Sequence, residues 1–378
     1  MTQALRAAVR STSHVVDYDV HGLVGIRLID PSPRDVAAVS RQIGDLQGVL
    51  AHEPDITISF VGEVEVAGVL SWIEPREVGF TDEGFFLFAP GSGLKPAARM
   101  ALDAVGGSFE LVSRSGLAAV PLLRSLIDLS MLAKGVVALH ASAFTYHGTG
   151  VLVAGWARGG KTTSLLAFTA HDAAFIGDDR VYLGAEGNRL YGLGEPIALR
   201  AWHLAELPGY RAVVGRRARS RLRLASALAS LADWAGAPHR TQGVRGFASR
   251  VASAADDASI AIPSQQLFSR CPLSGKLDKA FLAIAHESAD VRVERVAPEY
   301  VAERLVFSLR AERLRLLARY LAFRFAFPDK PSTLIERADE LERELLLDAL
   351  AKIETYTLYH PSPAPVQALR EAMAPVLG

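Results

Sequence analysis

The segment Gly155-Trp156-Ala157-Arg158-Gly159-Gly160-Lys161-Thr162 fits the pattern G-x-x-x-x-G-K-[ST], and no other feature of the chain restricts its fold as tightly. In that pattern successive backbone N–H groups wrap phosphate oxygens, and the helix that follows turns its positive end toward them. Such a loop works only between a strand that fixes its start and a helix that fixes its end, so the motif demands an α/β setting. The flanks comply. Gly150 to Ala154 is a short apolar run that reads as a buried strand, Thr162 to Ala170 reads as helix, and Ala173 to Ile176 reads as the next strand. Glycine fills 31 of 378 positions and lysine seven, so chance alone yields the pattern only about 0.005 times in such a chain.

The residues from Gly155 through Thr163 are therefore the expected contacts of a nucleoside triphosphate. Lys161 would reach the β- and γ-phosphates, and the Thr162 hydroxyl would ligate Mg²⁺. Arg158 would either add charge near the γ-phosphate or face solvent. Trp156, at the loop tip, would stack on a base or simply pack. Asp178 and Asp179 close the next strand, where a carboxylate beside the loop can hold Mg²⁺ directly or through water. Successive side chains of a strand point to opposite sides, so one carboxylate can face the metal while the other orients or deprotonates a hydroxyl. A charged turn is the alternative. His140, in Leu139-His140-Ala141-Ser142, precedes the strand feeding the loop and would reach the phosphates or an acceptor, or else be buried for structural reasons.

The rest of the chain sets bounds on this reading. At 378 residues it exceeds the roughly 100–200 residues of one domain, so two are expected: a mixed α/β N-terminal domain over 1–130 and a loop-bearing domain over 131–378. Half the residues are hydrophobic and 22% are charged, which excludes wholesale disorder. Basic and acidic residues balance at 41 each, so no global field holds the chain on nucleic acid or an anionic membrane. The lone Cys271 forms no internal disulfide and supplies no thiolate zinc site, and a reducing cytoplasmic location is expected. The first residues lack the apolar core of a secretory signal. Gly116 to Leu139, the longest apolar region, is interrupted by Arg124, Asp128 and Lys134 and reads as buried helix, not membrane span.

Local patterning fills in the elements. Leu23 to Leu28, Ile56 to Val61 and Phe85 to Phe88 read as strands, broken by Pro31-Ser-Pro33 and Pro90-Gly-Ser-Gly93. Val120 to Met131 has helical spacing, with Gly135 as its stop. Val136 to Phe144 and Gly150 to Ala154 form a hairpin around Tyr146 to Thr149, and Val181 to Leu183 with Leu190 to Leu193 form another around Glu186-Gly-Asn188. Six arginines from Arg211 to Arg223 make a solvated helical face or a patch for an acidic peptide or phosphorylated substrate, and Gly236 to Arg250 reads as a loop. Leu277 to Ile284 reads as a strand, Glu299 to Phe325 as a helix apolar around much of its girth, Ile335 to Lys352 as another helix, and Tyr356 to Tyr359 as a final strand.

The stretch LHASAFTYHGTGVLVAGWARGGKTTSLLAFTAHDAAFIGDDRVYL, Leu139 to Leu183, resembles the catalytic core of HPr kinase/phosphorylase and its looser relatives. The shared features are a histidine on a strand, a Walker A loop about fifteen residues later, and a strand ending Asp-Asp-x-Val. The resemblance implies a P-loop kinase core with a mixed sheet of the type shared with phosphoenolpyruvate carboxykinase, α/β locally and α+β overall. It implies that Gly155 to Lys161 cradle ATP phosphates, that Thr162 and Asp179 serve the metal, and that Asp178 is the catalytic base toward a Ser/Thr hydroxyl with His140 adjacent. Where the family carries a metal-binding Glu and an Arg, this chain has Leu204-Ala-Glu206-Leu-Pro208-Gly209, so Glu206 is the candidate third metal residue and Pro208 replaces the Arg. The resemblance further implies a homo-oligomer.

These observations give an ATP-dependent kinase with Mg²⁺ and an unidentified hydroxyl acceptor as the leading expectation. An ATPase or GTPase driving a protein partner, or a nucleotide-gated accessory protein, are the alternatives.

Overall fold

The computed structural model describes residues 14–89, 93–184, 188–235 and 258–378. The expected turn at Pro90 to Ser92, the residues 185–187 and the loop Gly236 to Arg250 lie outside the described residues. Mixed sheets and helices make the chain α+β overall. Among the described residues no helix is long and apolar enough to cross a membrane.

Two compact units divide the chain, and each is discontinuous. The first takes Met1–Leu139, Tyr182–Gly187 and Ala302–Ala349; the second takes His140–Val181, Asn188–Val301 and Leu350–Gly378. A single cut near residue 131 therefore differs from the observed division, because the chain returns to the first unit twice.

The first unit is built on eight strands: β1 (Val15–Val20), β2 (Val24–Ile29), β3 (Ile56–Val61), β4 (Ser71–Glu74), β5 (Val78–Phe80), β6 (Phe85–Leu87), β7 (Ala98–Met100) and β8 (Phe109–Arg114), in the order β1-β2-β3-β8-β7-β6-β5-β4. Alternation along β3 and β8 sends Ile56, Ile58, Phe109 and Leu111 into the core. β2, β3 and β8 run parallel, and α1 (Pro33–Ile43) is the crossover between the first two. Ser32 and Asp35 form a capping box at its start. The expected helix after Val120 is α2 (Leu123–Ala133), which leads into β9 (Val136–Leu139). The long apolar helix runs Pro298–Ala326, and its part from Ala302 belongs to this unit. There Phe323 meets Phe85 edge-on at 5.4 Å, and the buried Arg313 is paired with Glu342 and Asp339. Phe307, Leu314, Leu321 and Phe325 on the same helix remain exposed. The expected helix Ile335 to Lys352 is two pieces, Thr333–Glu336 and Ala338–Leu350.

The second unit carries the glycine-rich loop. Its main sheet uses β10 (Ala141–Tyr146), β11 (Thr149–Gly155), β12 (Ala174–Gly177) and three later strands: Lys279–His286, Arg292–Arg295 and Glu354–Pro361. β10 and β11 are an antiparallel hairpin, but the expected first strand Val136 to Phe144 is split, its first half being β9 in a different sheet; β12 adds to the outer edge of β10. β11 pairs in parallel with Lys279–His286, which pairs in parallel with Glu354–Pro361. A parallel strand covered on both faces has no solvated side, which is why Val151, Leu152, Val153 and Ala154 are all apolar and all buried. Gly150 is required here, since a Cβ would come within 1.6 Å of the Lys276 carbonyl oxygen. α3 (Lys161–Thr169) and the C-terminal helix Val366–Leu377 cover the sheet, with Phe144 stacked on Phe168 at 4.9 Å and Phe281 on Tyr356 at 5.1 Å. The arginines from Arg216 to Arg223 lie on the helix Arg216–Ala235, mostly exposed.

Candidate functional site

Register decides what meets the loop. Gly155 lies opposite Ala283, and Ala283 opposite Leu358, so the carboxyl ends of all three parallel strands reach one edge of the sheet. Ligands of α/β sheets bind at that edge. The loop turns sharply there: Gly155, Arg158 and Gly160 have φ of 150°, 62° and 77°. At Gly160 only glycine fits, because the left-handed backbone disfavours a side chain and a Cβ would lie 2.7 Å from Nε2 of His360. The His360 ring is buried under the loop, with Nε2 3.0 Å from the Gly159 carbonyl oxygen.

Lys161 begins α3 and is itself buried. Its ammonium folds back over the loop, donating to the carbonyls of Trp156 at 2.7 Å and Gly155 at 3.2 Å. Thr162 faces Asp178, its hydroxyl 3.1 and 3.0 Å from the two carboxylate oxygens. Ser142 on β10 also donates to Asp178. Burial pushes the Asp178 carboxyl up to about 6, and the charge of Asp179 adds to the rise, while the bonds from Ser142 and Thr162 and the charge of Lys161 oppose it.

Asp179 goes the other way. β12 ends at Gly177, and the two aspartates sit in the bend after it, so their divergence does not come from strand alternation. Asp179 has φ of 66°, a left-handed conformation that aspartate tolerates better than most residues, and its exposed carboxylate lies 3.1 Å from Nε2 of His140. The resemblance implies that Thr162 and Asp179 serve one metal; in the structure the Thr162 hydroxyl contacts Asp178, and Asp179 lies against His140.

Glu206 is not brought to this cluster. It ends α4 (Ala201–Glu206), and its carboxylate accepts from the backbone N–H of Val366 at 2.8 Å, at the start of the C-terminal helix. A carboxylate at that position satisfies one of the donors that every helix start leaves open.

A cavity of about 490 Å³ opens over the loop. Residues Arg158 to Thr163 form one side, with His140 and Asp179 beside them; Trp156 and Ala157 do not line it, and Trp156 is exposed. Ala198, Arg200, Trp202, His203 and the segment Ser362 to Ala364 form the remainder. Sequence reasoning assigned no role to Ser142, His203 or His360. His203 accepts from the Arg200 N–H at Nδ1 (3.1 Å), leaving Nε2 to donate to the Thr163 hydroxyl at 3.3 Å. Burial, then the Arg200 charge, hold it near 3 and therefore neutral. His360 lies near the end of the last strand, Glu354–Pro361, and no motif in the sequence marks it.

Oxygen donors suit Mg²⁺, and the hydroxyl of Thr162 with the carboxylate of Asp178 is such a pair. Among the described residues no group of three or more His, Cys, Asp or Glu is gathered to hold a metal ion unaided. A Mg²⁺ here would complete its shell with phosphate oxygens and water, as that ion commonly does. No protein-family model and no curated protein matches this chain.

Proposed function

We propose that the chain is an ATP-dependent phosphotransferase with a P-loop kinase core of the HPr kinase/phosphoenolpyruvate carboxykinase type. ATP, or another nucleoside triphosphate, is held with Mg²⁺ at Gly155 to Thr163, and the γ-phosphoryl group passes to a hydroxyl of a peptide, protein or small molecule. The observation that carries this reading is the separation of the two carboxylates at one loop: Asp178 engaged by the Thr162 hydroxyl, Asp179 engaged by His140. The second pair supports transfer rather than binding alone, because it sets a carboxylate beside the loop that the Thr162 contact does not engage.

Bound Mg²⁺ supplies neutralisation of the charge on the β- and γ-phosphates, and Thr162 and Asp178 are the residues placed to hold it. Lys161 exchanges its two carbonyl partners for phosphate oxygens. The loop N–H groups and the start of α3 orient those oxygens and favour their negative charge. His140 fixes the Asp179 carboxylate, which positions the acceptor hydroxyl and takes its proton.

The test is phosphorus NMR of the protein with Mg-ATP and a panel of hydroxy amino acids, sugars and serine-containing peptides, with Lys161→Ala as control. A phosphoester resonance absent from the control is expected. Lys161-dependent release of inorganic phosphate alone, whatever the acceptor, would replace this reading with a nucleotide hydrolase acting on a partner.

A further inference from the structure

One wall of the cavity lies outside the phosphate loop. It consists of Arg200 and Trp202, on either side of the first residue of α4, of the neighbouring His203, and of Ser362 to Ala364, which follow the strand Glu354–Pro361. Three hydrogen bonds fasten these pieces to the loop and to each other. His203 joins α4 to Thr163 on α3, His360 joins the end of the last strand to the Gly159 carbonyl, and Glu206 joins the end of α4 to Val366. The wall is therefore held at a set position relative to the phosphate loop.

Its chemistry differs from that of the His140–Asp179 pair. The corner near the loop holds a histidine and a carboxylate, groups suited to a hydroxyl. The wall holds an indole, a pyrrolidine ring, a guanidinium, the His203 imidazole and the Ser362 hydroxyl, with no carboxylate among its lining residues. The Trp202 ring is braced by His203, the two centroids 3.8 Å apart and tilted by 45°. A fixed indole offers a flat π-face to any nucleobase, and a guanidinium offers charge to a phosphate.

We propose that this wall is the nucleoside subsite of the cavity, with the Trp202 indole stacked on the base, Pro363 bounding it and Arg200 turned to the phosphate chain. The proposal rests on the reading of Gly155 to Thr163 as a triphosphate site, and its test keeps the two apart.

Calorimetric titrations with Mg-ATP and with magnesium tripolyphosphate are run on the wild type, Trp202→Ala, Trp202→Leu and Trp202→Phe. The wild type binds both ligands, ATP more tightly. Trp202→Ala and Trp202→Leu lose roughly 10- to 100-fold in ATP affinity, the range expected for one base–aromatic stack. Tripolyphosphate affinity stays within about twofold in both, and Trp202→Phe keeps most of the ATP affinity. Trp202→Leu fills the space without a π-face, so it carries the test if the alanine variant does not fold. Equal losses for both ligands, or unchanged ATP affinity in the leucine variant, overturn the nucleoside subsite. Wild-type binding of tripolyphosphate as tight as that of ATP overturns it as well, while leaving the phosphate loop standing. Failure of the wild type to bind either ligand overturns the loop reading itself.

Discussion

Thr162 and Asp178 are joined through the hydroxyl of one and both carboxylate oxygens of the other, at 3.1 and 3.0 Å. The second residue of the helix after the loop is thereby tied to a buried carboxylate that follows the end of the next strand. Asp179, its neighbour in sequence, is left exposed and paired with His140. Two adjacent aspartates consequently meet different chemistry, and substitutions at them should separate binding from transfer.

Asp179→Asn keeps the shape but removes the charge that would take a proton. Its turnover is expected to fall by about 10²- to 10⁴-fold, the usual contribution of a positioned base, with nucleotide affinity nearly unchanged. Asp178→Asn is expected to weaken Mg-dependent nucleotide binding instead. Parallel measurement of nucleotide affinity and turnover on both variants checks the split; loss of binding in Asp179→Asn would reverse the assignment.

Asp178 and His203 predict opposing pH dependences of stability in the Mg²⁺-free protein. The Asp178 carboxyl is raised from 3.8 to about 6, so between those values the folded protein holds more protons there than the unfolded chain, and stability falls as pH rises. His203 is lowered from 6.5 to about 3, so the unfolded chain holds more protons there over that window, and stability rises with pH. From pH 4 to 6 the two slopes offset each other. Asp178→Asn should unmask the histidine, giving stability that climbs toward pH 6.5 by up to about 1 kcal/mol per pH unit. His203→Asn should show the reverse trend. Denaturant titrations at several pH values between 4 and 6.5 read both slopes, and equal pH dependence in the two variants would count against this account.

Much of this site is legible in the chain because its parts are local. Gly155 to Thr162 needs a strand before it and a helix after it, and Asp178 and Asp179 follow within sixteen or so residues, so the motif and its setting are read together. The two aspartates' separate contacts were not legible, because the strand stops at Gly177 and Asp179 adopts a left-handed turn. His360 lies 201 residues from Gly159 in sequence, and only the parallel pairing of strands brings them together. The first unit's claim on residues 302–349 was hidden for a similar reason. A helix apolar around much of its girth does not say which of its faces is covered or by which part of the chain, and here Phe323 is buried while Phe307, Leu314, Leu321 and Phe325 are exposed.

Glu206 can be settled between two roles by a conservative change. As a metal residue, it would lose its contribution when its charge is removed. As the acceptor for the Val366 N–H it needs only an oxygen, which glutamine retains. Glu206→Gln is expected to leave the Mg²⁺ dependence of nucleotide binding unchanged, and Glu206→Ala to cost about 1 kcal/mol of stability, as the loss of a helix cap does. A raised Mg²⁺ requirement in Glu206→Gln would restore the carboxylate to the metal.

Gly160 and His360 form a pair whose coupling can be measured directly. Gly160→Ala places a methyl group on a backbone with φ of 77° and drives it to 2.7 Å from Nε2 of His360, so it combines conformational strain with a clash. A loss of roughly 1–3 kcal/mol in stability is expected. His360→Ala alone removes the support under the Gly159 carbonyl and should weaken nucleotide binding through the loop. In the double variant the clash is gone but the left-handed backbone remains, so the second substitution should cost less stability than it does alone. A double-mutant cycle by denaturant unfolding tests this, and strictly additive losses would mean that the ring and the loop are not in the contact described.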